Sequence, residues 1–242
     1  MKNSGRVLIH SGLILGLFVL TLIGCNKSDT SSEITVPTGT VSDLEGNVYK
    51  TVVVGTQTWM AENLKTIKLT DGTMIPLVTD NSSWSNLTTP ARSYYSNDSV
   101  SYKSLNGALY NWYTVQTKKL CPTGWHVPSD AEWTILATSL GVDSLAGGKL
   151  KELGSINWFL PNLYATNSTG FTAMPSGYRF FNGSYNNIGY SGNWWSTTEY
   201  TTSTARFFYL VYSKGYAYDN KTTTGKNFVD KLYGLSVRCL KN

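Results

Sequence analysis

A basic start and an uncharged apolar run, closing on Leu22-Ile23-Gly24-Cys25, constrain this chain before its folded part begins. Lys2 and Arg6 precede the run from Leu13 to Leu20 (LILGLFVL), the layout of a secretory signal peptide. Whatever folds downstream is then expected in an oxidising compartment, where cysteines pair rather than stay reduced. A transmembrane helix is the competing reading. Spanning needs about 20 consecutive apolar residues. Val7 to Ile23 offers 17, broken by His10, Ser11 and Gly12, with no basic stop directly after.

The end of the run is similar to a bacterial lipobox, in which small residues precede a cysteine that is acylated before cleavage. On this reading residues 1–24 are removed, and Cys25 becomes the first mature residue and the membrane anchor. Each buried CH₂ of an acyl chain contributes about 0.8 kcal/mol, and more than one chain makes anchoring stable. Residues 25–40 are rich in Ser and Thr and have no apolar period, so they read as a flexible tether. The expected address is the cell envelope, in the outer membrane or at the cell surface, since Asn rather than Asp follows Cys25.

Cleavage lowers the net charge from +5 to about +3, through loss of Lys2 and Arg6. No Lys/Arg run exceeds two residues, which argues against a nucleic-acid partner. Charged residues make up 14% of the chain while Tyr numbers 16 and Trp 8, a balance that suits a β-rich extracytoplasmic domain. With Cys25 acylated, Cys121 and Cys239 remain. An even pair in this compartment predicts a disulfide; two buried free thiols are the alternative.

The folded part is expected over residues 41–242. Tyr49–Val54 and Thr58–Leu64 flank Gly55 as a hairpin, Asp71-Gly72 marks a turn, and Trp84–Asp98 reads as an irregular loop. Leu105–Val115 predicts a helix with Leu109, Trp112 and Val115/Gln116 on one face, its start weakened by Gly107. Ser129 and Glu132 have the spacing of a capping box, followed by Trp133, Leu136, Ala137 and Leu140 at helical intervals and a stop at Gly141. A second short helix is expected within Asp143–Leu153. Arg206–Tyr212 and Tyr216–Asp219 read as a hairpin, and Leu235–Leu240 as a closing strand with Leu235, Val237 and Cys239 facing inward.

Seven segments in fixed order resemble one known family: WMAENL (59–64), LYNWYTV (109–115), LCPTGWHVPSDAEWT (120–134), AGGKLKE (146–152), TGFTAMPSGYR (169–179), WWSTTE (194–199) and LSVRCLK (235–241). It is the Fibrobacter succinogenes major paralogous domain, found in secreted and lipid-anchored bacterial proteins. That family is in turn similar to the C-type lectin-like fold, especially its formylglycine-generating branch. The resemblance implies an α+β domain with twisted, mostly antiparallel sheets, two main helices and long loops.

The chemistry the sequence offers is sparse. Formylglycine chemistry needs reactive thiols, and the cysteine count leaves none. His126 is the one histidine after the signal peptide and is expected to bond backbone. Neither HxxxH nor CxxC occurs, so no zinc site is expected. Calcium-dependent lectins use a Glu-Pro-Asn type tripeptide; here Leu160-Pro161-Asn162 replaces the first ligand, although a structural calcium near Asp219 or Asn220 stays open. Glu62, Glu132 and Glu199 do not suggest a paired-carboxylate site. Asp98-Ser99-Val100 and Asp143-Ser144-Leu145 resemble O-glycosylation triplets of some envelope proteins.

Trp194 and Trp195 are adjacent in a strand and should face opposite ways, one into the core. The other, with Tyr190 or Tyr200, is the candidate stacking surface for a ligand. The expectation is therefore a non-enzymatic envelope module without metal or cofactor, binding a glycan or a protein. A structural subunit of an envelope assembly and an unrecognised enzyme on the formylglycine-generating scaffold are the alternatives.

Overall fold

The computed structural model describes residues 38–141, 145–215 and 228–242. The signal sequence, Cys25, nearly all of the tether, Asp143-Ser144, and Tyr216 to Asn220 lie outside the described residues. Among the described residues no helix is long and apolar enough to cross a membrane.

The chain runs through β1 (Gly39–Ser42), β2 (Val48–Val54), β3 (Gln57–Met60), α1 (Asn81–Ser85) and β4 (Arg92–Ser93). It continues through α2 (Ser99–Asn106), β5 (Leu109–Tyr110), α3 (Trp112–Gln116), β6 (Trp125–His126), α4 (Asp130–Ser139) and α5 (Ala146–Leu150). Then follow β7 (Ser176–Arg179), β8 (Tyr185–Ile188), β9 (Ser191–Glu199), β10 (Thr204–Val211), β11 (Phe228–Asp230) and β12 (Leu240–Lys241). This is a mixed α+β architecture. One sheet has the order β1-β2-β3-β12-β6, a second β11-β10-β9, and β4-β5 and β7-β8 form two-stranded pairs. Every named strand pairing is antiparallel.

Strand β9 divides the interior. Trp195 packs with Tyr49, Met60, Trp112, Val115 and the disulfide in one apolar cluster. Trp194 packs with Trp59, Trp133, Phe171 and Phe208 in the other. The alternation of a strand puts neighbours on opposite faces, and here both faces are covered. Trp194 and Trp195 are each 0% exposed, which corrects the expectation that one of them offers a surface. The reason is long-range. Trp195 donates its backbone N–H to Ser236, and Asn193 accepts from Ser236, so the closing segment and β10 together bury the strand.

Helix α4 forms as its sequence dictates. The Ser129 side chain accepts from the Glu132 N–H while the Glu132 carboxylate accepts from the Ser129 N–H and hydroxyl. Trp133 and Leu136 point into the core, and Gly141 at φ +94° follows the last turn. The cysteines pair as expected, Cys121 to Cys239 at a sequence separation of 118.

Other elements differ from expectation. The helix expected over Leu105–Val115 is broken: α2 ends at Asn106, β5 pairs with β4, and α3 restarts under an Asn111 cap. Gly107 explains the break. It sits at φ +74°, and a Cβ there would lie 2.6 Å from the Leu64 carbonyl oxygen. The stretch from Trp84 holds helix α1, strand β4 and a 3₁₀ turn at Tyr95–Asn97 rather than an irregular loop. Five α-helices occur among the described residues, against two main helices expected. β10 pairs with β9 and β11, and only Leu240–Lys241 of the closing segment is regular strand. Leu235, Val237 and Cys239 nevertheless all face the Trp195 cluster.

Candidate functional site

Asn63 is the centre of a buried polar hub. Its amide donates to the Asn106 carbonyl (2.9 Å), Ser176 Oγ (3.0 Å) and Ser236 Oγ (3.3 Å). Its oxygen accepts from Trp194 Nε1 (2.8 Å) and Arg238 Nη2 (3.0 Å). Arg238 also donates to the carbonyls of Phe171 and Thr172, and its guanidinium lies 4.1 Å from the Phe171 ring centroid. Burial pulls its pKa down to about 9. Four of the segments quoted above, WMAENL, TGFTAMPSGYR, WWSTTE and LSVRCLK, thus meet inside the protein with their polar groups turned on one another. Such a network rigidifies and specifies a core.

Two more buried cations do similar work under loops. Lys151, pushed down to about 8 by burial, donates to the carbonyls of Leu163, Val211 and Lys214. Arg179 donates to the carbonyls of Val78, Thr79, Asp80 and Gly183 and lies 4.2 Å from the Trp84 ring.

His126 has a different environment from the one expected. Nδ1 lies 2.7 Å from Asn242 Oδ1 and Nε2 lies 2.8 Å from Glu132 Oε1, so it bonds two side chains, not backbone. A cleft of about 230 Å³ beside it is lined by Val115, Lys118, Cys121, Val127 and Thr197. Burial raises the Glu132 pKa, the bonds from Ser129 and His126 outweigh it, and the net result is below the ordinary 4.5. Glu132 is therefore held as a carboxylate whose oxygens already serve the helix cap and His126. Glu199 pairs with Lys231 at 2.7 Å, and Arg179 is fully buried. These groups do not converge on one pocket.

At the lectin-like tripeptide, the Asn162 amide donates to the carbonyls of Glu152 (3.0 Å) and Gly154 (2.6 Å), bonds that fold the loop on itself. Among the described residues no group of three or more His, Cys, Asp or Glu is placed to hold a metal ion.

The exposed aromatics are elsewhere. Tyr190 meets Phe159 edge-on at 4.5 Å and Tyr212 at 5.3 Å, beside a groove of about 190 Å³ lined by Tyr102, Ile156, Phe159 and Ile188. Tyr200 stacks on Phe228 at 4.3 Å, and the Arg206 guanidinium lies 4.5 Å from the Tyr200 ring centroid. A third group was not foreseen from sequence. Tyr178, Phe180, Phe181 and Tyr233 touch one another with centroids 4.5 to 6.3 Å apart. The available signal was the alternation of aromatic and amide residues in YRFFNGSYNN (178–187), around an Asn-Gly turn.

The sequence model of the Fibrobacter succinogenes major domain matches residues 52–241, through all seven segments. The chain belongs to that family. No curated protein and no solved structure matched it. In this Fibrobacter succinogenes major domain the seven quoted segments contribute the hub, much of the two tryptophan cores and the disulfide, whereas Phe180, Phe181, Tyr190, Tyr200 and Tyr233 lie outside them and Tyr178 near the end of one. Connections on a rigid scaffold are where binding surfaces concentrate.

Proposed function

We propose that this protein is lipid-anchored in the cell envelope through Cys25, in the outer membrane or at the cell surface, and that its folded domain is a ligand-binding or adhesion module rather than an enzyme. We also read the fold as C-type lectin-like, on the strength of the capped α4, the tryptophan strand β9 and the disulfide-closed C-terminal segment. The signal layout and the Ser/Thr-rich tether support the address, and the Cys121–Cys239 bridge suits an oxidising compartment.

One observation carries the binding reading. The titratable groups that would do chemistry are turned on one another, while aromatic rings stay partly open to water in three places. Large apolar groups left exposed on a rigid surface mark interaction sites. Full-length protein in mild detergent, screened on a glycan array and in pull-downs from cell envelopes, should retain a ligand in at least one of the two. Silence in both contradicts the proposal.

A structural-subunit role is the second reading. Leu153, Ile156 and Leu160 are 67%, 94% and 74% exposed on one loop segment, aliphatic surface that suits a protein neighbour. Crosslinking in intact cells would then recover one constant partner, at a yield cut by Ile156→Ser.

A further inference from the structure

We propose that the outward face of the β7–β8 hairpin, together with Tyr233, is a binding site for a neutral glycan. The inference rests on the ligand-binding reading above and names the ligand class. In the hairpin register Tyr178 pairs with Asn186, so the two share a face, and Phe180 follows two residues after Tyr178 on that face. Tyr233 lies 5.6 Å from Tyr178 and 4.8 Å from Phe180, and Phe181 extends the surface 4.5 Å beyond Phe180. Phe181 is 44% exposed, and Asn186 and Asn187 are exposed beside the rings.

A pyranose ring presents an apolar C–H face and a rim of hydroxyls. Aromatic faces take the first, and hydroxyl and amide groups take the second. The site has both: ring surface from four residues, and a rim from the Tyr178 and Tyr233 hydroxyls, Asn186 and Asn187. The Asn187 amide already reaches the Tyr178 hydroxyl at 3.5 Å. Burial first, then the neighbouring Tyr178 and Asp230, raises the Tyr233 pKa to about 12, so its hydroxyl keeps its proton at any physiological pH.

Charge selects for a neutral ligand. Arg179, at the end of β7, is fully buried and donates to the carbonyls of Val78, Thr79 and Asp80 and to Asn81 Oδ1, so it gives no cation to the outer face. The carboxylate that acts on Tyr233 is Asp230, whose Oδ1 accepts from the Leu232 N–H at 2.8 Å. An acidic glycan would meet this anion with no exposed cation from the hairpin to offset it.

The site is also pre-formed. Phe180 donates its N–H to Ser184 (2.7 Å) and accepts from Gly183 (2.9 Å), while Gly234 exchanges backbone bonds with Arg179. Gly183, at φ +89°, lets the turn lie against Asn81, where a Cβ would come within 2.6 Å. A rigid surface avoids the ordering cost of binding.

The test titrates full-length protein in detergent with cello-, laminari-, xylo- and manno-oligosaccharides and with two anionic glycans, polygalacturonate and heparan sulfate. We expect binding to at least one neutral oligosaccharide, weakened about tenfold or more by Phe181→Ala. Tyr233→Phe keeps the ring and removes the hydroxyl; it should weaken binding by roughly two- to tenfold if that hydroxyl bonds the sugar. Ile135→Ala, at an exposed position on α4, should leave it unchanged. Neutral-glycan binding indifferent to both Phe181→Ala and Tyr233→Phe overturns the assignment, as does binding confined to the anionic glycans. A protein partner captured without any glycan binding overturns it too but leaves the ligand-binding reading standing. Silence with every glycan and every partner removes both.

Discussion

Aromatic rings and side-chain amides meet around Asn63 and again on the β7–β8 hairpin. Around Asn63 the rings are Trp194 and Phe171, both at 0% exposure, and every bond the amide makes is internal. On the hairpin the rings of Tyr178, Phe180 and Tyr233 are half-buried, Phe181 is open, and the amides of Asn186 and Asn187 face water. On the proposed reading, the same residue types serve stability in one place and recognition in the other. Burial decides which, because a buried amide must be satisfied by the protein while an exposed one can be satisfied by a ligand.

Perturbing the scaffold side should dominate stability. Replacing Cys121 and Cys239 together by Ala opens a loop with a sequence separation of 118 and should cost about 5 kcal/mol by the chain-entropy argument, read as the urea midpoint. Arg238→Met removes the donor that serves the Phe171 and Thr172 carbonyls and should cost about 3 kcal/mol in the same assay. A loss of under 1 kcal/mol would mean the hub is not what joins the recurring segments. Ser129→Ala breaks the capping box and should cost about 1 kcal/mol.

The smallest effect concerns pH. Glu132 has its folded pKa below the ordinary 4.5, so its contribution is present above that value and lost as pH falls through the folded pKa. Glu132→Gln should flatten that acid limb of the stability curve while the limb of Phe181→Ala stays like the parent's. An unchanged acid limb in Glu132→Gln would show that the carboxylate is not held by Ser129 and His126.

What was legible in the sequence follows the range of the interaction responsible. Helix α4 depends on Ser129, Glu132 and a run of local periodicity, all within one segment, and it formed as read. The disulfide followed from counting cysteines. The covering of β9 on both faces depends on Ser236, far along the chain from Trp194, so alternation alone gave the two faces but not their burial. The helix over Leu105–Val115 failed at Gly107; the glycine is visible in the sequence as a weak point, but the approach of the Leu64 carbonyl that requires it is a tertiary contact. The hairpin rings were visible as aromatic residues around Asn182-Gly183. Their union with Tyr233 was not, because the bridge from Arg179 to Gly234 that brings it near is a product of the fold.

The division of labour between hub and hairpin is tested most directly by urea unfolding of Asn63→Ala and Phe181→Ala side by side. Asn63→Ala leaves Trp194 Nε1 and an Arg238 N–H buried without their acceptor and should lose about 3 kcal/mol. Phe181→Ala, at an exposed position, should stay within about 0.5 kcal/mol of the parent protein. Equal losses, or the larger loss in Phe181→Ala, would contradict the account.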